Sequence, residues 1–110
     1  MTESIHLAKK IIEKNFDEKI SQKYLCKKTG LNADMLRAEF KKSFGVSIRQ
    51  YQVQLKIEHA KKLLSETTEK ISRIAYALGY EHADNFSLEF TKRVGISPRQ
   101  WRNSIRNQKT

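Results

Sequence analysis

Apolar residues recur at intervals of three and four along most of this chain, the period of a helix that buries one face. Ile5, Ala8, Ile11 and Ile12 outline a first helix from Ser4 to about Asn15. Leu36, Phe40 and Phe44 outline another, and Val53, Ile57, Ala60 and Leu64, widened by Tyr51, Leu55 and Leu63, outline a long one. In the second half, Ile74, Leu78, Phe86 and Phe90 are the inward positions of two more. Four Gly and one Pro leave few places where strands and tight turns could begin. The pattern predicts an all-α fold of about seven helices.

Start and stop signals divide these helices into units. Ser21 offers an N-cap, Ile20 can staple to Leu25, and Gly30 stands just past a helix ending at Thr29. Asn32 caps the next helix, Leu31 can staple to Leu36, and Gly45 stops it. Helix, three-residue turn containing Gly, helix is the helix-turn-helix arrangement. A second such unit reads Ile71 to Leu78, Gly79-Tyr80-Glu81, then His82 to Val94, with Thr68 and Ser72 both able to cap its start. Each unit is followed by Ser-x-x-Gln, at Ser47 to Gln50 and at Ser97 to Gln100, the pattern of a capping box, with Pro98 at a first-turn position where its missing N–H costs nothing. Between the units, Ile48 to Ser65 forms a helical strut of about 27 Å at 1.5 Å per residue. Trp101 and Ile105 begin a last short helix.

The units are copies of one another. Shifted by fifty positions, the twelve residues from Phe40 to Tyr51 fall on Phe90 to Trp101 with six identities, namely Phe, Lys, Gly, Ser, Arg and Gln. Gly30 matches Gly79 one position earlier, so the second copy carries one extra residue after its glycine. A glycine, a cap and a core aromatic repeated in one order point to duplication of a supersecondary unit. The expected layout is a single homeodomain-like tandem domain over 1–110, with a first unit at about 4–46, a linker helix at about 47–66 and a second unit at about 68–106.

Charge narrows the class. Twenty-two Lys and Arg against twelve Asp and Glu give a net charge of +10 in 110 residues. That balance points to a polyanionic partner. The longest apolar run, Ile74 to Leu78, is far below the roughly 20 residues of a membrane span, so no membrane association is expected. A lone Cys26 implies a reducing, cytoplasmic setting without disulfides. His6, His59 and His82 lack ligand spacing, and no nucleophile motif is present, so neither a metal, a cofactor nor an enzyme is expected.

The stretches Ile71-Ser72-Arg73-Ile74-Ala75, Leu78-Gly79-Tyr80, Phe86-Ser87, Phe90-Thr91-Lys92, Gly95-Ile96-Ser97-Pro98 and Trp101-Arg102 resemble the signature of the AraC/XylS family of bacterial transcription regulators. Ala60, Leu63 and Leu64 match the family's linker ending, although Lys56 stands where Arg is usual. The resemblance covers Ile20 to Arg102. It implies sequence-specific binding of double-stranded DNA, with two recognition helices, about 33–43 and 83–93, entering successive major-groove faces of an asymmetric bipartite operator. RNA polymerase is a further expected partner. Nothing in the chain reads as a dimer seam, so a monomer is expected. The alternative is a basic helical module that binds nucleic acid without reading sequence, or binds protein.

Helical faces assign the contacts. With Leu36 and Phe40 inward, Ala33, Asp34, Arg37, Ala38 and Lys41 lie on the groove-facing stripe, and Arg37 is the foremost reader because its guanidinium can take guanine O6 and N7 together. The second stripe is His82, Ala83, Asp84, Ser87, Leu88 and Thr91. Glu81 to Glu89 holds three acidic residues and no basic one, and the family commonly places Arg where Leu88 stands and an apolar residue where Glu89 stands, so the first unit is expected to read more bases. Leu88 and Ala83 suit thymine methyl groups. Phosphate contacts are expected at the capped helix starts, from Ser47, Arg49 and Gln50 and from Ser97, Arg99 and Gln100, with Lys42, Lys92, Arg93 and Arg102 nearby.

Overall fold

The computed structural model describes residues 2–18 and 20–108, and every regular element among them is helical. In chain order these are α1 (Thr2–Lys14), α2 (Gln22–Thr29), α3 (Ala33–Phe44), α4 (Ile48–Glu66), α5 (Ile71–Ala77), α6 (Ala83–Val94) and α7 (Pro98–Gln108). The chain forms two compact units, Met1–Leu55 and Lys56–Thr110, so the dividing point falls inside α4. The long helix is thus a shared element, its first half built into one core and its second half into the other.

In the first unit α1 packs on α2 and α3. Ile5, Ala8, Ile12, Leu25, Leu31, Leu36 and Phe40 are buried together, and Ile48, Tyr51 and Leu55 of α4 close over them. Removing this much aliphatic and aromatic surface from water stabilises the unit by roughly 1.5–3 kcal/mol per large side chain. Phe40 meets Phe44 at 4.7 Å and Tyr51 at 5.9 Å between ring centroids, which ties α3 to α4. The turn between α2 and α3 is held from within. Thr29, itself buried, donates its hydroxyl to the Leu25 carbonyl at 2.8 Å and accepts the Leu31 N–H at 3.3 Å. Ser21 accepts from the Tyr24 N–H and Asn32 from the Met35 N–H, as the cap pattern predicts.

The second unit repeats the plan with more aromatic weight. Ile74, Ala75, Leu78, Phe86 and Phe90 are buried, as are Ile57, Ala60 and Leu64 of α4. Tyr80, Phe86, Phe90 and Trp101 follow one another with centroid separations of 5.4, 5.8 and 6.2 Å. One expected feature is absent. Neither Thr68 nor Ser72 caps α5; Lys70 occupies that position without a side-chain cap, and its carbonyl accepts from the Ile74 N–H. The reason lies upstream, where the Thr67 hydroxyl donates to the Leu63 carbonyl at 2.7 Å and accepts the Glu69 N–H at 3.3 Å. That side chain holds the loop against the end of α4 and sets where α5 can start.

Candidate nucleic-acid interface

The stripe assigned to α3 is open to solvent: Asp34, Arg37, Ala38 and Lys41 are exposed and Ala33 is half-buried. Leu36 and Phe40 on the opposite side are fully buried, so the rotation of α3 is fixed by its core contacts. Arg37 is not isolated. Its NH2 donates to Asp34 Oδ1 at 2.5 Å, one turn earlier on the helix.

Three elements meet around this arginine. A groove of about 270 Å³ is lined by Gln22 of α2, Arg37 of α3 and Ser47, Arg49 and Gln52 at the start of α4, over an apolar floor of Ile20, Leu25 and Ile48. The start of α4 is rigid because Ser47 and Gln50 form a reciprocal box, Gln50 N–H to Ser47 Oγ at 3.1 Å and Ser47 N–H to Gln50 Oε1 at 2.9 Å. Both side chains of the box therefore hold the helix start, which leaves Arg49 as the charged group of this anchor. Helix N-termini carry partial positive charge, so a guanidinium at that end favours an anion. The groove thus brings Arg37 and Arg49, expected to read bases and to contact phosphate, onto one surface.

The same box opens α7, with Gln100 N–H to Ser97 Oγ at 3.1 Å and Ser97 N–H to Gln100 Oε1 at 3.0 Å, and Arg99 exposed beside it. Pro98 is buried under this start, which anchors the box to the core. On α6, Asp84, Leu88 and Thr91 are exposed, while Ala83 and Ser87 are half-buried. His82 precedes the helix in the N-cap position and is exposed, without a side-chain cap bond. The Thr91 hydroxyl turns back to donate to the Ser87 carbonyl at 2.7 Å, so this residue presents chiefly its methyl group outward. Leu88 is 70% exposed, the largest value among the exposed large hydrophobics described.

Lys41 and Lys42 on α3, and Lys92 and Arg93 on α6, lie in the last helical turns, where cations complement the carbonyl end of the dipole whether or not a phosphate is near. Arg102 also has a task inside the fold. Its Nε donates to the Leu64 carbonyl at 3.0 Å and its NH2 to the Thr67 carbonyl at 3.4 Å, and Arg106 donates to the same Thr67 carbonyl at 3.0 Å. The last carbonyls of α4 lack helical partners, and Arg102 satisfies that of Leu64. Burial lowers its pKa, the neighbouring Arg106 lowers it further, and Glu69 opposes both. Arg102 thus ties α7 to the end of α4 and the loop after it.

Gln22, Gln52 and Arg106 were not legible as site or support residues. Gln52 follows Arg49 by three positions, a helical neighbour that spacing alone could have flagged. Among the described residues no group of three or more His, Cys, Asp or Glu side chains is placed to hold a metal. No described helix is long and apolar enough to cross a membrane.

Comparison with known proteins adds four findings. A family model described as "Helix-turn-helix domain" matches residues 25–104. The HTH-type transcriptional activator RhaR of Klebsiella pneumoniae is 38% identical over 81 residues, which is 74% of this chain and 29% of RhaR; the chain therefore spans less than a third of the length of that curated relative. Among solved structures, the C-terminal domain of the two-component response regulator yesN from Fusobacterium nucleatum is similar with a TM-score of 0.82 and 34% identity, covering 88% of this chain and 95% of that one. The DNA-binding domain of AdpA, solved in complex with a target DNA, shares the fold at a TM-score of 0.88, covering 94% of both chains at 15% identity.

Proposed function

The chain belongs to the AraC-type helix-turn-helix family, and from that premise we propose that it binds double-stranded DNA by sequence to regulate transcription, with α3 and α6 entering successive major-groove faces. The observation that carries this reading is the groove in which Arg37 of the recognition helix stands with Arg49 at the boxed start of α4. A reader beside an anchor is what groove recognition requires, because phosphate contacts fix register while base edges supply the information. The box and its arginine recur at α7 as Ser97, Arg99 and Gln100, so the second unit keeps the anchor. Its recognition helix carries Asp84 and an exposed Leu88 where the first carries Asp34 and Ala38. Base reading is therefore assigned mainly to Arg37, with Ala33, Ala38 and Lys41 beside it, and methyl contacts to Ala83, Leu88 and Thr91.

The operator is expected to be asymmetric and bipartite, because the two readers differ in sequence. Work as a monomer in the cytoplasm, and contact with RNA polymerase in the whole protein, complete the proposal. A gel-shift titration of duplexes enriched by selection against random duplex tests it. Selected duplex should bind at least about a thousandfold more tightly, the lower end of the usual range of specific over non-specific binding of roughly 10³–10⁷. Equal affinity for both would leave only a basic module without sequence reading.

A further inference from the structure

Arg37 carries a partner that the proposed reading does not use. Asp34 stands three residues earlier in the first turn of α3, and its Oδ1 lies 2.5 Å from Arg37 NH2. The side chains are 92% and 57% exposed, so as a surface ion pair this contact adds little to stability. A carboxylate on a face meant for DNA is also repelled by phosphate. Its value has to lie in what it does to the arginine.

An unpartnered guanidinium beside Arg49 would bind whichever phosphate came within reach, since its donors and its charge suit any of them. Among the described residues lining the groove that Arg37 shares with Arg49, none is acidic, so nothing else there restrains it. Asp34 changes both terms. It offsets the net charge that draws Arg37 to phosphate, and it occupies one amino group, which narrows the rotamers open to a long side chain. The guanidinium keeps further N–H donors in a fixed fork, and these remain free to meet two acceptors on one base edge. A phosphate approaching the same fork brings its charge toward the carboxylate, whereas guanine O6 and N7 bring none.

We propose that Asp34 is a specificity-determining positioning residue: it holds the Arg37 guanidinium so that it reads guanine and does not bind phosphate indiscriminately. This rests on the assignment of Arg37 as a reader. It differs from a role in the helix dipole, where Asp34 would steady α3 and affect all DNA alike.

The test uses the 110-residue chain and four variants: Asp34→Ala, Arg37→Ala, the double variant, and Glu18→Gln, an exposed acidic residue outside α3 that controls for charge alone. Affinities for selected and random duplex are measured across a salt series, with thermal melting to verify folding. Asp34→Ala should bind random duplex roughly threefold to tenfold more tightly, with a salt slope steeper by about one, as one more phosphate contact forms. The ratio of selected to random affinity should fall about tenfold, as loss of a well-placed base contact does. Glu18→Gln should leave that ratio unchanged, and Asp34→Ala should not alter it further in the Arg37→Ala background. A lower melting temperature with both affinities reduced equally would overturn the proposal in favour of the dipole role. So would a drop in the ratio that persists without Arg37. If Arg37→Ala itself keeps the full ratio, the assignment of the reader has failed too; if it lowers the ratio while Asp34→Ala does not, only the coupling has failed.

Discussion

Arg37 and Arg99 are both exposed arginines, and the proposed function gives them different tasks. Arg37 projects from the middle of a helix whose opposite face is locked in the core, so its reach is along the groove floor. Arg99 sits in the first turn of α7 beside a closed capping box, at the positive end of that helix. Arg37→Ala should therefore relax preference at one base pair, at about 1–3 kcal/mol, when binding is scored against all single-base variants of the operator. Arg99→Ala should weaken every sequence by the same factor and flatten the salt slope by about one. If both variants lose affinity uniformly, the two are anchors alike. In the core, Phe40→Ala removes a fully buried ring that touches Phe44 and Tyr51, and a loss of roughly 3–5 kcal/mol in denaturant unfolding is expected.

The helices owe their boundaries to short-range chemistry, and this explains how much of them could be read in advance. Ser21, Asn32, Ser47 and Ser97 cap where their side chains can reach a backbone N–H three residues on, a relation visible in any window of four residues. Gly45 ends α3 at φ +77°, a conformation that costs other residues roughly 1–2 kcal/mol. A Cβ there would meet nothing within 4 Å, so Gly45→Ala should destabilise by that backbone cost alone, measurable by thermal melting. The start of α5 at Ile71 was legible but its cap was not: Lys70, without a side-chain cap bond, takes the position offered to Thr68 or Ser72, while the Thr67 hydroxyl holds the loop through Leu63 and Glu69. Arg102 escaped for a different reason. Its acceptors, Leu64 and Thr67, lie 38 and 35 residues back, and no local pattern announces a bond across that distance. Arg102→Ala should cost roughly 1–3 kcal/mol by leaving the Leu64 carbonyl of α4 unsatisfied, with little change in the salt slope, whereas a phosphate anchor would show the reverse. The pairing of Asp34 with Arg37 lay at the legible spacing of three, and only the coordinates turn that possibility into a bond.

At the scale of the molecule, duplication supplies two helix-turn-helix units and two boxed helix starts, each with an arginine, on one polypeptide of net charge +10. With about six phosphates engaged, log affinity should fall with log salt at a slope near −5. Two readers on successive major-groove faces predict target DNA that is bent, or that bends easily at pyrimidine–purine steps. Footprinting on a duplex recovered by selection tests the tandem reading most directly. Two protected major-groove segments of unlike sequence, about 10 base pairs apart on one face of the duplex, are the expected result. Protection confined to one groove segment, with the neighbouring turn open to cleavage, would contradict it.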